Sequence, residues 1–262
     1  PRADVIMSIC VLGKRKGCFD MADYKKLGVI GGVGPAATAL FFQRVVEYTD
    51  VASDQEHLDI DILNRPGIPN RTDYLLGVEG APSFVPSMNQ AALQLEALGC
   101  DVLSTPCNTA HAALDAVSAG LSRARFVNML DETAAFVKRL GVTKCAVLAT
   151  DGTLATQVYN RALAAFGVAA ASPEGEDQKL VMSIIYDQVK AGIAPDAEAF
   201  CALCRKMVDA GCDGIILGCT ELSLVPVPVR MEGAPIVDAL NVLAWRCVQE
   251  CGAPAKDLME MY

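Results

Sequence analysis

The sequence predicts an α/β fold of two pseudo-symmetric lobes, each a parallel sheet flanked by helices. Short apolar strand-like runs alternate with helix-like stretches from Lys26 onward, and that alternation implies parallel sheets covered by helices. Two stretches recur across the chain. Val29-Ile30-Gly31-Gly32-Val33-Gly34 matches Val147-Leu148-Ala149-Thr150-Asp151-Gly152, and Gly99-Cys100-Asp101 matches Gly211-Cys212-Asp213. Each Gly-Cys-Asp precedes a second cysteine, Cys107 or Cys219, by the same eight residues. Ligands of such sheets bind outside the carboxyl ends of the strands, where both cysteine turns fall.

The elements follow in order. Leu27-Gly28-Val29-Ile30 reads as a buried strand entering the Gly31–Pro35 turn and a helix over Ala36–Tyr48. Leu58–Leu63 alternates with period two and reads as a strand, with Asp59 and Asp61 facing solvent together. Asn64–Thr72 is polar and Pro-rich, hence a loop. A helix over Pro86–Leu98 precedes the strand Val102–Ser104 and the Cys107 turn, and another helix begins near Ala110. Cys145–Ala149 is a strand, followed by the turn Thr150–Thr153 and a helix to about Phe166. Two helices fit between Asp177 and Ala210. Gly214–Leu217 is the strand that delivers Cys219. Ile236-Val237 and a helix over Ala239–Cys251 follow, expected to cross back to the first lobe. The expected division is residues 25–130 plus 235–262 for one lobe and 131–234 for the other.

Residues 1–24 are set apart as an extension. The apolar run Val5–Leu12 precedes Lys14-Arg15-Lys16, the reverse of a secretory signal. No stretch reaches the roughly 18 apolar residues of a membrane helix.

The chain has 262 residues, 52% hydrophobic and 20% charged, with a formal charge of -9. This is enough to bury a sizeable core. The acidic balance argues against non-specific binding to nucleic acid or anionic membrane. Eleven cysteines, an odd number, are scattered through apolar runs. They fit small buried core residues in a reducing cytoplasm. Cys201-x-x-Cys204 has the spacing of a metal or redox pair, but no second such pair or His pair accompanies it. No metal, nucleotide or pyridoxal site is expected. The Gly31–Gly34 turn lacks the Lys-Ser/Thr of a phosphate loop.

The cysteine turns carry the chemistry. A cysteine before a helix feels backbone N–H groups and the positive helix end, which lower a thiol pKa from about 8.5. Asn108 and Thr109 add donors beside Cys107. Thr220 and the Glu221 carboxylate flank Cys219 in the same setting. Two acid/base groups on opposite faces of one carbon can remove a proton from one side and return one to the other. Their titrations should be coupled.

The stretches Gly31–Thr38, Ile68-Pro69-Asn70-Arg71-Thr72, Pro106–His111, Ala149–Thr153 and Gly218-Cys219-Thr220-Glu221 lie in matching order across most of the chain. In them the sequence resembles the pyridoxal-independent aspartate/glutamate racemase family, most closely its aspartate branch. The resemblance implies an isomerase without cofactor that interconverts L- and D-aspartate or other acidic amino acids. It assigns Cys107 and Cys219 as the acid/bases. It assigns Asn108, Thr109, Thr153 and Thr220 to the substrate α-carboxylate, and Arg71 and Lys190 to the side-chain carboxylate. It also implies a homodimer with the site between the lobes. Arg71 suits that role because a guanidinium fork can grip a carboxylate at two points. Gly34, His111 and Glu221 are supporting candidates. His111 could orient Cys107 or simply be polar on its helix's first turn.

Departures from the family pattern are Asn70 where many relatives have Asp, Val33 where many have Met, and Glu221 where the glutamate branch has His. That branch's Ser-Asp near the first glycines is also absent. Two other readings stay open. One is a maleate isomerase or hydantoin-racemase-like enzyme using the same cysteines, one of them as nucleophile. The other is a non-catalytic carboxylate-binding protein.

Overall fold

A computed structural model describes residues 24–262; the Val5–Leu12 run and its basic triplet lie outside the described residues. The first half contains β1 (Leu27–Gly31), α1 (Pro35–Tyr48), β2 (Ile60–Asn64), α2 (Arg71–Leu75), α3 (Val85–Ala97), β3 (Val102–Ser104), α4 (Leu114–Val117) and β4 (Arg125–Phe126). Its sheet runs β2-β1-β3-β4, parallel throughout. The second half contains α5 (Met129–Arg139), β5 (Lys144–Leu148), α6 (Asp151–Ala155), α7 (Val158–Ala165), β6 (Ala169–Ala171), α8 (Gly175–Ser183), α9 (Ala197–Asp209), β7 (Gly214–Leu217), β8 (Arg230–Met231), β9 (Ala234–Asp238) and α10 (Ala239–Glu250). Its sheet runs β6-β5-β7-β9-β8, with only β8 antiparallel.

The internal repeat is real in three dimensions. β1 and β5 are the equivalent inner strands, and β3 and β7 are the equivalent strands that deliver the cysteine turns. Gly99 and Gly211 close α3 and α9 with positive φ, +92° and +87°, where a side chain would be strained. The next residues, Cys100 and Cys212, are buried. Asp101 N–H then bonds Lys26 O, and Asp213 N–H bonds Lys144 O, each at 2.9 Å. Inner strands tolerate no spare volume. A Cβ on Gly28 would lie 2.7 Å from Leu103 and 3.0 Å from Cys100.

α10 is apolar on nearly every face, and Leu240, Val242, Leu243, Ala244, Cys247 and Val248 are all buried. Asp238 caps its start by accepting from Leu240 N–H at 2.9 Å. It packs against both α1 and α5. The expected return to the first half is therefore split. The helix does pack on α1, but its strand β9 pairs with β7 and β8 in the second sheet.

Other differences are local. The segment after Cys107 begins as a 3₁₀ turn, Asn108–Ala113, before the short α4. The Asn64–Thr72 loop ends inside a helix, because Asn70 caps α2 through its Oδ1, which accepts from Thr72 N–H at 2.9 Å. The single helix expected up to Phe166 is broken into α6 and α7 at Gln157, which is left-handed with φ 51°. Asp59 and Asp61 do share a side, where both pair with Lys26. Among the described residues no helix is long and apolar enough to cross a membrane.

Candidate active site

The β1–α1 turn forms one wall. Gly32 has φ +87°, and a Cβ there would strike the Arg65 backbone N at 2.4 Å. Thr38 pins the turn: its Oγ1 accepts from Gly32 N–H and donates to Gly34 O, both at 2.9 Å.

The two cysteine turns meet. Thr220 Oγ1 donates to Pro106 O at 3.1 Å, a direct tie between them. Thr109 Oγ1 lies 2.9 Å from Thr153 Oγ1 and 3.1 Å from Thr150 Oγ1. These bonds join the end of β3 to the β5–α6 turn. Cys107 and Cys219 are only 6% and 5% exposed, so both side chains are shielded from bulk water. Asn108 Oδ1 accepts from Tyr159 OH, while its Nδ2 is buried without a partner. A buried, unsatisfied donor is costly, and a ligand oxygen would satisfy it. Tyr159 was not singled out in the sequence, because its partner lies 51 residues away.

His111 Nδ1 donates to the Cys107 carbonyl at 2.9 Å. The contact is thus to the Cys107 backbone, and His111 Nε2 is buried without a hydrogen-bond partner among the described residues. Burial lowers its imidazole pKa.

Cys219 departs from expectation. Its Sγ lies 3.0 Å from Glu221 Oε2, which accepts the thiol proton. Burial, then the Glu221 carboxylate, push the thiol well above its ordinary value, with only partial opposition from Lys190. No long helix starts there; a 3₁₀ turn, Leu222–Leu224, follows instead. The expected lowering by a helix end thus gives way to desolvation and a neighbouring carboxylate.

Glu221 Oε1 pairs with Lys190 Nζ. Lys190 follows a π-helical turn, Ile184–Val189, and its N–H reaches back to Ile185 O. Such bulges often redirect a functional side chain. Burial would lower the Lys190 ammonium, but Glu221 and the sulfurs of Cys219 and Cys107 outweigh it and raise the pKa. Both cysteines therefore lie within electrostatic reach of this one cation. Tyr186, four residues before Lys190, has its ring centroid 5.6 Å from Nζ. That i,i+4 spacing on a helix was a legible signal. Tyr186 OH donates to Thr72 at 3.1 Å, which ties the Lys190 segment to α2.

Arg71 opens α2. Its guanidinium donates to the carbonyls of Val33, Ile68 and Pro69 at 3.0–3.3 Å, and its Nε is buried without a partner. Among the described residues it makes no ion pair. Behind it, Gly152 lets α6 touch α2: a Cβ there would lie 2.9 Å from Thr72 Cα. The structure thus gathers Gly34, Lys190, Cys219 and Glu221 directly, and links the Thr109–Thr153 cluster to them through the Thr220–Pro106 tie.

Among the described residues no three His, Cys, Asp or Glu side chains are grouped to hold a metal ion. Cys204 of the Cys-x-x-Cys lies in the core, where burial raises its thiol to about 12.

Comparison with known proteins bears on the family and the fold. The family model for Asp/Glu/hydantoin racemases matches residues 30–247. An aspartate racemase from Picrophilus torridus superposes with a TM-score of 0.76 at 28% identity, over 91% of this chain and 99% of that one. A glutamate racemase isoform from Bacillus anthracis shares the fold, with a TM-score of 0.62 at 19% identity over 90% and 86% of the two chains. A broad-specificity amino-acid racemase of Bacillus subtilis is 24% identical over 83% of this chain and 94% of its own. The chain belongs to the Asp/Glu/hydantoin racemase family of isomerases.

Proposed function

We propose that this chain interconverts the enantiomers of aspartate by proton transfer between two thiols and the α-carbon, without a cofactor. The observation that carries the reading is the meeting of two cysteine turns, tied by Thr220 and Pro106, beside Lys190, with Arg71 bonded to Val33 O next to the Gly34 that borders Lys190. One cysteine, as thiolate, takes the α-proton and becomes a thiol. The other, as thiol, gives its proton to the opposite face and becomes a thiolate. The reverse direction exchanges their roles. The unpartnered Asn108 Nδ2, with Thr109, Thr153 and Thr220, would receive the α-carboxylate. Arg71 and Lys190 would receive the side-chain carboxylate.

The test is proton NMR in D₂O with L-aspartate, then D-aspartate, then both glutamates, with no cofactor added. Loss of the α-proton with appearance of the other enantiomer is expected for aspartate. No exchange with any of the four overturns the acidic-substrate reading. A wider range, as in the broad-specificity Bacillus relative, is favoured by one observation: Glu221 already neutralises Lys190. Alanine and serine in the same assay test that range.

A further inference from the structure

The two cations offered to an acidic substrate are not in the same state. Arg71 is held by backbone carbonyls and, among the described residues, pairs with no carboxylate. Lys190 is already paired with a carboxylate of the protein, Glu221. That carboxylate is buried, and its second oxygen accepts from Cys219 at 3.0 Å. Gly34 closes over the pair. A Cβ there would lie 2.9 Å from Glu221 Oε1 and 3.9 Å from Lys190 Nζ. Cys219 and Cys107 both act electrostatically on Lys190, so a carboxylate seated on it would lie in the surroundings of both thiols.

We propose that Glu221 is an internal stand-in for the substrate's side-chain carboxylate, occupying Lys190 until a dicarboxylate replaces it. The proposal rests on the reading of Lys190 as the seat for that group. An acidic ligand gains Lys190 only by displacing Glu221, which keeps its second tether to Cys219. A ligand with a neutral side chain leaves the Lys190–Glu221 pair intact. Glu221 thereby sets how strongly the site distinguishes acidic from neutral ligands, since specificity is a difference between two affinities. It acts through Lys190 and Cys219 and is a positioning residue.

Succinate is the probe, because it carries two carboxylates and has no stereocentre to invert. Its binding is measured by titration calorimetry on the wild type, Glu221→Gln, Lys190→Met and the double variant, with propionate as the one-carboxylate control. Removing the competing carboxylate should tighten succinate by about tenfold, the scale of one charge-assisted hydrogen bond. Propionate should change little. In the Lys190→Met background the gain should vanish. In turnover, Glu221→Gln should lower KM for the acidic substrate and leave KM for a neutral one little changed, whatever its effect on kcat through Cys219.

Equal succinate affinity in wild type and Glu221→Gln overturns the proposal. So does a gain that survives Lys190→Met, or no succinate binding by any of the four proteins. Should Glu221→Gln fail to fold, Glu221→Asp takes its place. One methylene shorter, it cannot hold both Lys190 and Cys219, and it should show a smaller gain of the same sign; no gain overturns the proposal. The succinate result is read without turnover. Failed aspartate exchange with the expected succinate pattern would overturn the racemisation reading alone.

Discussion

The turns at Cys107 and Cys219 share one backbone plan and surround their sulfurs with different chemistry. One residue past the sulfur stands Asn108 in the first and Thr220 in the second. Two residues past stands Thr109 in the first and Glu221 in the second. The first turn is stitched by neutral groups: Thr109 to Thr150 and Thr153, Asn108 to Tyr159, and His111 to the Cys107 carbonyl. In the second, a carboxylate accepts the thiol proton and a lysine backs that carboxylate. The repeat decides where each sulfur sits, while the neighbours differ: at Cys219, burial first and then the Glu221 carboxylate raise the thiol.

The comparison breaks first at the cysteines. Cys107→Ala and Cys219→Ala should each lower racemisation by at least about 10²–10⁴-fold, the usual contribution of a positioned acid or base. Enantiomer-resolved α-proton washout in D₂O measures it. If Cys219 rests as the acid, the two variants should retain residual washout with opposite enantiomers. Full turnover in either variant would show that only one turn is chemical.

Arg71→Lys comes next. Lysine keeps the charge but loses the fork that spans the Val33, Ile68 and Pro69 carbonyls. We expect kcat/KM for aspartate to fall by about 10–100-fold, the scale of one lost charge-assisted hydrogen bond. Rates close to wild type would mean that Arg71 only braces the loop.

Alkylation sharpens the contrast between the sulfurs. Because burial and Glu221 raise the Cys219 thiol, its thiolate fraction at neutral pH is small. Iodoacetamide labelling of the Cys219 peptide, read by mass spectrometry, should keep rising as pH passes above the ordinary thiol value of about 8.5. A plateau below that pH would contradict the assignment.

The smallest effect concerns His111. Its folded pKa is depressed, so the unfolded chain binds the proton more readily. The stability this residue lends is fully present above the unfolded value of about 6.5, and is lost as pH falls below it toward and through the folded value. His111→Asn, which keeps a donor for the Cys107 carbonyl, should flatten that part of the pH-dependence of Tm. We expect the two melting curves to diverge by about 2–4 °C in that window. Parallel curves would assign the acid sensitivity to other groups.

Much of this was legible beforehand. Buried runs such as Leu27–Gly31 and Gly214–Leu217 have the length and neighbours of inner parallel strands. The Gly-Cys-Asp repeat marked the two halves. What escaped notice depends on distant partners. Ala169–Ala171 has helix-forming residues and becomes strand only by pairing with β5, a tertiary override of propensity. β4 and β8 are two residues each, too short for any periodicity. The break at Gln157 carries no Gly or Pro. In the site, cysteine and threonine motifs were visible because they are contiguous. The Tyr159–Asn108 and Tyr186–Thr72 bonds were not, because they join residues far apart in the chain.

α10 has a consequence for the order of assembly. It fills the core beside Phe41 and Val45 of α1, yet follows them by almost the whole length of the described chain. A nascent chain that has emerged only as far as Asp238 holds both cysteine turns and both sheets. It still lacks the apolar helix that covers the inner face of α1. Contacts of such long sequence separation form late and leave apolar surface exposed meanwhile. Ribosome-stalled intermediates ending near β9 should therefore be the species that chaperones hold and proteases cut.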